Sequence, residues 1–121
     1  MRTLALAALA LPLFLLAAPA AAKDVCDNAA DQQTMNRCAE DAYARTDAEL
    51  NRVYKTTMAG LDEHSQALLK AAQRDWIKFR DDECTYQNAQ NEGGSIYPLV
   101  YNGCLTTLTK ARTKQLQQGQ N

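Results

Sequence analysis

From Gln32 to Ala59 the chain contains neither proline nor glycine, and its apolar residues recur in steps of three and four. Met35, Ala39, Ala42, Thr46, Leu50, Val53 and Thr57 make one stripe, widened by Tyr43, Tyr54 and Met58. A stretch of this length and period has one economical solution, a long amphipathic helix. Asp31 suits its N-cap and Gly60 its C-terminal stop. Glu40, Asp41, Arg45, Asp47, Glu49 and Arg52 mostly decorate its outer face.

A second helix is expected from about Glu63 to Gln90, capped by Asp62 or Ser65. Its apolar face reads as Leu68, Leu69, Ala72, Trp76, Phe79 and Tyr86. Glu83 shares the ridge of Trp76 and Phe79, and Ile77, Arg80 and Cys84 form an adjoining stripe. Asn91-Glu92-Gly93-Gly94-Ser95 reads as a turn. A third helix starts near Ser95 to Pro98, tolerates Pro98 in its first turn, and fades after Leu116. Gly103 within it either loosens the helix or lets another helix approach closely. No stretch reads as a strand. The expected fold class is all-α: an antiparallel up-down-up three-helix bundle with two long helices and a shorter third. The second helix, as the middle one, is expected to touch both others.

The N-terminus is set aside as a targeting segment. Met1-Arg2-Thr3 is a basic start, Leu4 to Ala18 is nearly all Leu and Ala, and Ala20-Ala21-Ala22 supplies small residues for cleavage. Residues 1–22 are therefore expected to be a cleaved signal peptide, and 23–121 a single domain. The apolar run is short for a membrane span and carries Pro12 within it. Cys26 lies too far from the small residues to accept a lipid. The expected location is periplasmic or secreted, with no membrane anchor after cleavage.

The four cysteines, Cys26, Cys38, Cys84 and Cys104, all lie in the exported part, where an even number implies two disulfides. A zinc site would want a Cys-x-x-Cys pair, and there is none. The reversal at Gly93-Gly94 puts Cys84 and Cys104 at one level, and a lead-in folding back puts Cys26 beside Cys38. This favours Cys26–Cys38 with Cys84–Cys104. The reversal at Gly60-Leu61 also levels Cys38 with Cys84, so Cys38–Cys84 with Cys26–Cys104 remains open.

Thirteen Lys and Arg face 14 Asp and Glu, a formal net charge of −1. There is no basic excess for nucleic acid. His64, the only histidine, falls at a helix–helix turn with no positioned partner, so no catalytic residue is assigned. Asp81-Asp82-Glu83 point in successive helical directions and cannot converge on a metal. They read as a solvated face paired with Lys78 or Arg80. Glu83 is expected to pair with Arg112 or Arg37. No cofactor motif is present. Trp76, Phe79, Arg80 and Glu83 are thus expected as structural core and ion-pair residues. Gly93, Gly94, Ser95, Ile96 and Tyr97 form a candidate partner-binding loop, with Ile96 and Tyr97 either interface anchors or an apolar cap on the bundle.

Several runs, taken in order, resemble a known family. They are Met35-Asn36-Arg37-Cys38-Ala39, Tyr43, Asp47 to Tyr54, Ala72-Gln73-Arg74-Asp75-Trp76-Ile77-Lys78-Phe79-Arg80-Asp81-Asp82-Glu83-Cys84, Gly93-Gly94-Ser95, and Cys104 with Leu108-Thr109. The chain resembles the LprI-type lysozyme-inhibitor domain family of exported bacterial proteins. The resemblance implies a small helical, disulfide-bonded, non-enzymatic protein whose partner is a lysozyme-type glycan hydrolase. The alternative is an envelope-stress or structural protein that binds another cell-wall component or protein.

Overall fold

The computed structural model describes residues 25–119. The expected signal peptide lies outside the described residues. Three helices account for most of them: α1 (Gln32–Ala59), α2 (Glu63–Gln87) and α3 (Tyr97–Gln118). Short 3-10 turns at Val25–Asn28 and Ala89–Asn91 precede α1 and follow α2. No strand occurs among the described residues.

The helix ends follow from local chemistry. Asp31 caps α1 by accepting from the Thr34 N–H at 2.9 Å, and Asp62 caps α2 by accepting from the Ser65 N–H at 2.8 Å. The turn between them is clamped by Gln66, whose side-chain amide donates to the carbonyls of Met58 and Leu61 at 2.9 and 3.0 Å. These caps carry a pH signature. Hydrogen bonds from the capped backbone, Thr34 and Ser65 respectively, hold the Asp31 and Asp62 carboxyls below their usual range, and a hydrogen bond from Arg52 does the same for Glu49. On acidification the unfolded chain takes up these protons first, so this stability is present above about pH 5 and is lost as pH falls through the lowered native values. Thermal melts across about pH 3 to 7 should show a falling Tm on the acid side, and Asp31→Asn with Asp62→Asn should flatten that limb. An unchanged slope in the double variant would assign the acid loss to other groups.

The core is small. Leu50, Val53 and Leu116 are buried together, with Tyr54, Leu69 and Trp76 packed against them. Much of the remaining interior is polar: Gln73, Arg80, Asn88, Thr109 and Thr113 are all buried. Backbone packing is closest between α1 and α3 and next closest between α2 and α3. The helix that both others follow is therefore α3, not α2. α2 reaches α1 through long side chains such as Arg80 and Trp76. Thr109 and Thr113 give α3 small side chains at buried positions. Gly103 has no such role: a Cβ there would meet nothing within 4 Å.

Disulfides join Cys26 to Cys38 and Cys84 to Cys104, with Cα separations of 5.7 and 5.6 Å. The first ties the leading turn to α1. The second joins α2 to α3 from a fully buried Cys84.

Candidate functional site

Around the stretch from Ala72 to Cys84, α2 builds two surfaces about a third of a turn apart. A helix turns about 100° per residue, so Leu69, Gln73, Trp76, Arg80 and Cys84 share one side. That is the side turned inward: Gln73, Arg80 and Cys84 are buried and Trp76 is partly so. Leu68, Asp75, Phe79, Asp82 and Tyr86 share another side, which is exposed to solvent.

Arg80 is the centre of the inward side. It is only 6% exposed. Its Nε donates to Asp81 Oδ1 at 2.9 Å, and one terminal nitrogen donates to Asp47 Oδ1 and Thr109 Oγ1, each at 3.3 Å. Its guanidinium carbon lies 5.4 Å from the Tyr43 ring centroid and 5.2 Å from that of Trp76. All three helices therefore meet at one cation. Burial opposes the charge, but the Asp81 hydrogen bond and the neighbouring Tyr43, Asp81 and Asp47 outweigh it, and the pKa is raised. Burial raises the Tyr43 hydroxyl and, for Arg112, lowers the guanidinium. Arg112 lies 5.9 Å from the Trp76 ring and donates to Gln73 Oε1 at 2.9 Å. This cluster ties the three helices together.

Two expectations for this stretch require correction. Phe79 is not core; it is 55% exposed. Glu83 makes no ion pair among the described residues and instead accepts from the Gln87 amide at 2.8 Å. Arg112, one of its expected partners, is directed to Gln73. Both errors have one cause. Hydrophobicity puts the inward face on the ridge of Trp76, Phe79 and Glu83, whereas the helix turns inward on the adjoining stripe that carries Arg80 and Cys84. An Arg flanked in space by two aromatic rings and two carboxylates is cheaper to bury than its charge suggests. The pair Asp47 and Arg80, both within the quoted runs, was the available signal.

On the outward side Leu68 is 60% exposed, Phe79 55% and Tyr86 76%. Seen down the helix these three superpose, spanning 18 residues or about 27 Å at 1.5 Å per residue. Asp75, Asp82 and Glu83 flank them, and Asp82 pairs with Lys78. The result is an apolar stripe edged with carboxylates. The carboxylates of Asp81, Asp82 and Glu83 go to three different partners, and no group of three potential metal ligands forms among the described residues.

The loop of residues 93–97 is tightly held. Asn88, fully buried, donates to the Tyr97 carbonyl at 2.9 Å and accepts from Asn91 at 2.7 Å. Asn36 of α1 donates to the Ser95 carbonyl at 2.9 Å. Gly93 has φ of 75°, and a Cβ on Gly94 would stand 3.1 Å from the Asn91 carbonyl oxygen, so both glycines suit this turn. The two apolar residues of the loop part company. Tyr97 stacks on Tyr101, with centroids 5.6 Å apart, whereas Ile96 is 41% exposed.

Three helices, two disulfides and a buried arginine knot define a class of small stapled helical domains. The chain belongs to the lysozyme inhibitor LprI family, whose model matches residues 26–116. It is 36% identical over 106 residues to uncharacterized protein R02472 of Rhizobium meliloti (strain 1021), covering 77% of this chain and 76% of that protein. It is 28% identical over 110 residues to uncharacterized protein YecT of Escherichia coli (strain K12), covering 78% of this chain and 68% of that one. No solved structure matches the chain.

Proposed function

We propose that the protein is an exported, non-enzymatic inhibitor that occludes the cleft of a basic lysozyme-type glycan hydrolase with the outward face of α2. The observation that carries this reading is the exposed stripe of Leu68, Phe79 and Tyr86 edged by Asp75, Asp82 and Glu83. Aromatic anchors supply affinity, and flanking carboxylates steer a cationic partner and set its register. Ile96 in the loop of residues 93–97 offers a second contact, and the asparagine network around that loop makes it rigid enough to bind without a large ordering cost. The reading takes residues 1–22 as a signal peptide removed on export, residues 23–121 as one domain, and the periplasm or the exterior as its location. Two disulfides support an oxidising compartment, and no helix of the described residues is long and apolar enough to cross a membrane. It also takes the helices as an up-down-up antiparallel bundle. The pairing of Asn36 with Ser95, of Asp47 with Arg80 and Thr109, and of Gln73 with Arg112 supports that order.

The test is a lysozyme turbidity assay with calorimetry. The wild-type protein should inhibit at micromolar concentration or below. Phe79→Ala with Tyr86→Ala should weaken inhibition by about 10- to 100-fold with an unchanged melting temperature, the usual range for loss of interface anchors. Ile96→Ala isolates the contribution of the loop. Inhibition retained in full by the Phe79/Tyr86 double variant would move the site off α2. No inhibition of any lysozyme class far above micromolar would favour the envelope-component reading.

A further inference from the structure

We propose that the groove between α1 and α3 is a binding site for an anionic saccharide. It is an open groove of about 660 Å³, within the range of small-molecule sites. Arg45 of α1 and Lys110 and Lys114 of α3 line it. None of these three forms a salt bridge among the described residues. Three cations face one carboxylate, that of Glu49, which is already paired with Arg52, so the groove is net positive and an anionic ligand relieves the repulsion among the cations.

The rest of the lining narrows the chemistry. Thr46 and Thr113 donate their hydroxyls back to the carbonyls of Ala42 and Thr109, which leaves their oxygens free to accept from a ligand. Glu49 lines the groove as well, held by Arg52 through bonds of 2.8 and 2.6 Å. The Thr106 hydroxyl is shielded from solvent and has no protein partner, and a buried polar group of this kind is normally satisfied. Three cations ask for negative charge. The hydroxyl acceptors and the Glu49 carboxylate ask for donors. A bare anion answers only the first demand and is repelled by Glu49; a neutral sugar answers only the second. A sugar bearing carboxylate or phosphate answers both. This groove is lined by α1 and α3, whereas the proposed inhibitory stripe lies on α2, so the two are independent.

The experiment is amide NMR titration and calorimetry on the exported protein at low salt. Trigalacturonic acid supplies a carboxylated sugar, glucose 6-phosphate a phosphorylated one, and chitotriose a neutral control. Binding by either anionic sugar is expected, with shifts confined to residues of the groove and none from chitotriose; which of the two binds identifies the anion. Affinity should fall as salt is raised. Lys110→Gln with Lys114→Gln should weaken binding at least tenfold while circular dichroism and Tm stay at wild-type values, since both lysines are exposed. The proposal is overturned by the absence of binding of both anionic sugars at millimolar concentration, by equal binding of chitotriose, or by undiminished binding in the folded double variant. Lysozyme inhibition is not a readout, so failure here leaves the inhibitory proposal standing.

Discussion

Arg80→Ala is expected to lower the melting temperature by roughly 8–32 °C, since each kcal/mol shifts a domain of this size by about 4–8 °C. Deleting one partner of a buried ion pair typically costs about 3–5 kcal/mol. Here Asp47 and Asp81 keep access to water, so neither is stranded when the cation goes, and about 2–4 kcal/mol is the better range. The loss has three parts: the ion pairs, the two aromatic contacts, and the packing of the aliphatic stem among three helices. Arg80→Met separates them, because it keeps the stem and removes the charge. It should melt between Ala and wild type. Arg80→Lys keeps a charge but not the fork that reaches Asp81 and Asp47 together, and it should recover less than half of the loss. Denaturant unfolding read by Trp76 fluorescence checks the series, since the indole sits against the guanidinium. An Ala variant melting within a few degrees of wild type would remove Arg80 from the centre of the fold.

The second large effect is expected from Cys84→Ala with Cys104→Ala. Closing a loop of sequence separation 20 stabilises by about 3 kcal/mol in the chain-entropy account. Because Cys84 is fully buried at the join of α2 and α3, its replacement also loosens packing. The same pair of substitutions at Cys26 and Cys38 is expected to cost much less, although its loop is only somewhat shorter, with a separation of 12. The leading turn that it ties down contains no buried residue. Once released, that turn frays in the native state as well as the unfolded one, so the constraint no longer separates the two states. Melting both double variants under identical conditions decides the matter. Equal losses would mean that the leading turn is part of the cooperative unit.

The helices were legible because their signals are local. The span of α1 follows from a run free of glycine and proline between Asp31 and Gly60, and the structure begins and ends it at those residues. The third helix begins beside Pro98, as its first-turn position suggests. α2 ends at Gln87, three residues earlier than expected, because Asn88 turns its amide to the loop. What was not legible is rotation about a helix axis. Phe79 and Arg80 are neighbours in sequence, and the choice of which faces inward depends on Tyr43, Asp47 and Thr109 from other helices. No periodicity within α2 contains that information. The candidate loop was readable as a turn, and the stacking of Tyr97 on Tyr101 is an i, i+4 contact within α3 that helical spacing already contains, whereas the 41% exposure of Ile96 depends on how the loop packs.

The buried and exposed faces of α2, the latter carrying the proposed binding stripe, have a consequence for any deep mutational scan of this protein. Abundance in the cell and capture of the partner would each rise and fall along the helix with a beat of three to four positions, but out of step. The abundance trace should dip at 69, 73, 76, 80 and 84, and the capture trace at 68, 75, 79, 82 and 86. Two interleaved rhythms of that kind would mean that a new target specificity can be selected on one side of the helix while the other side goes on folding the protein unchanged.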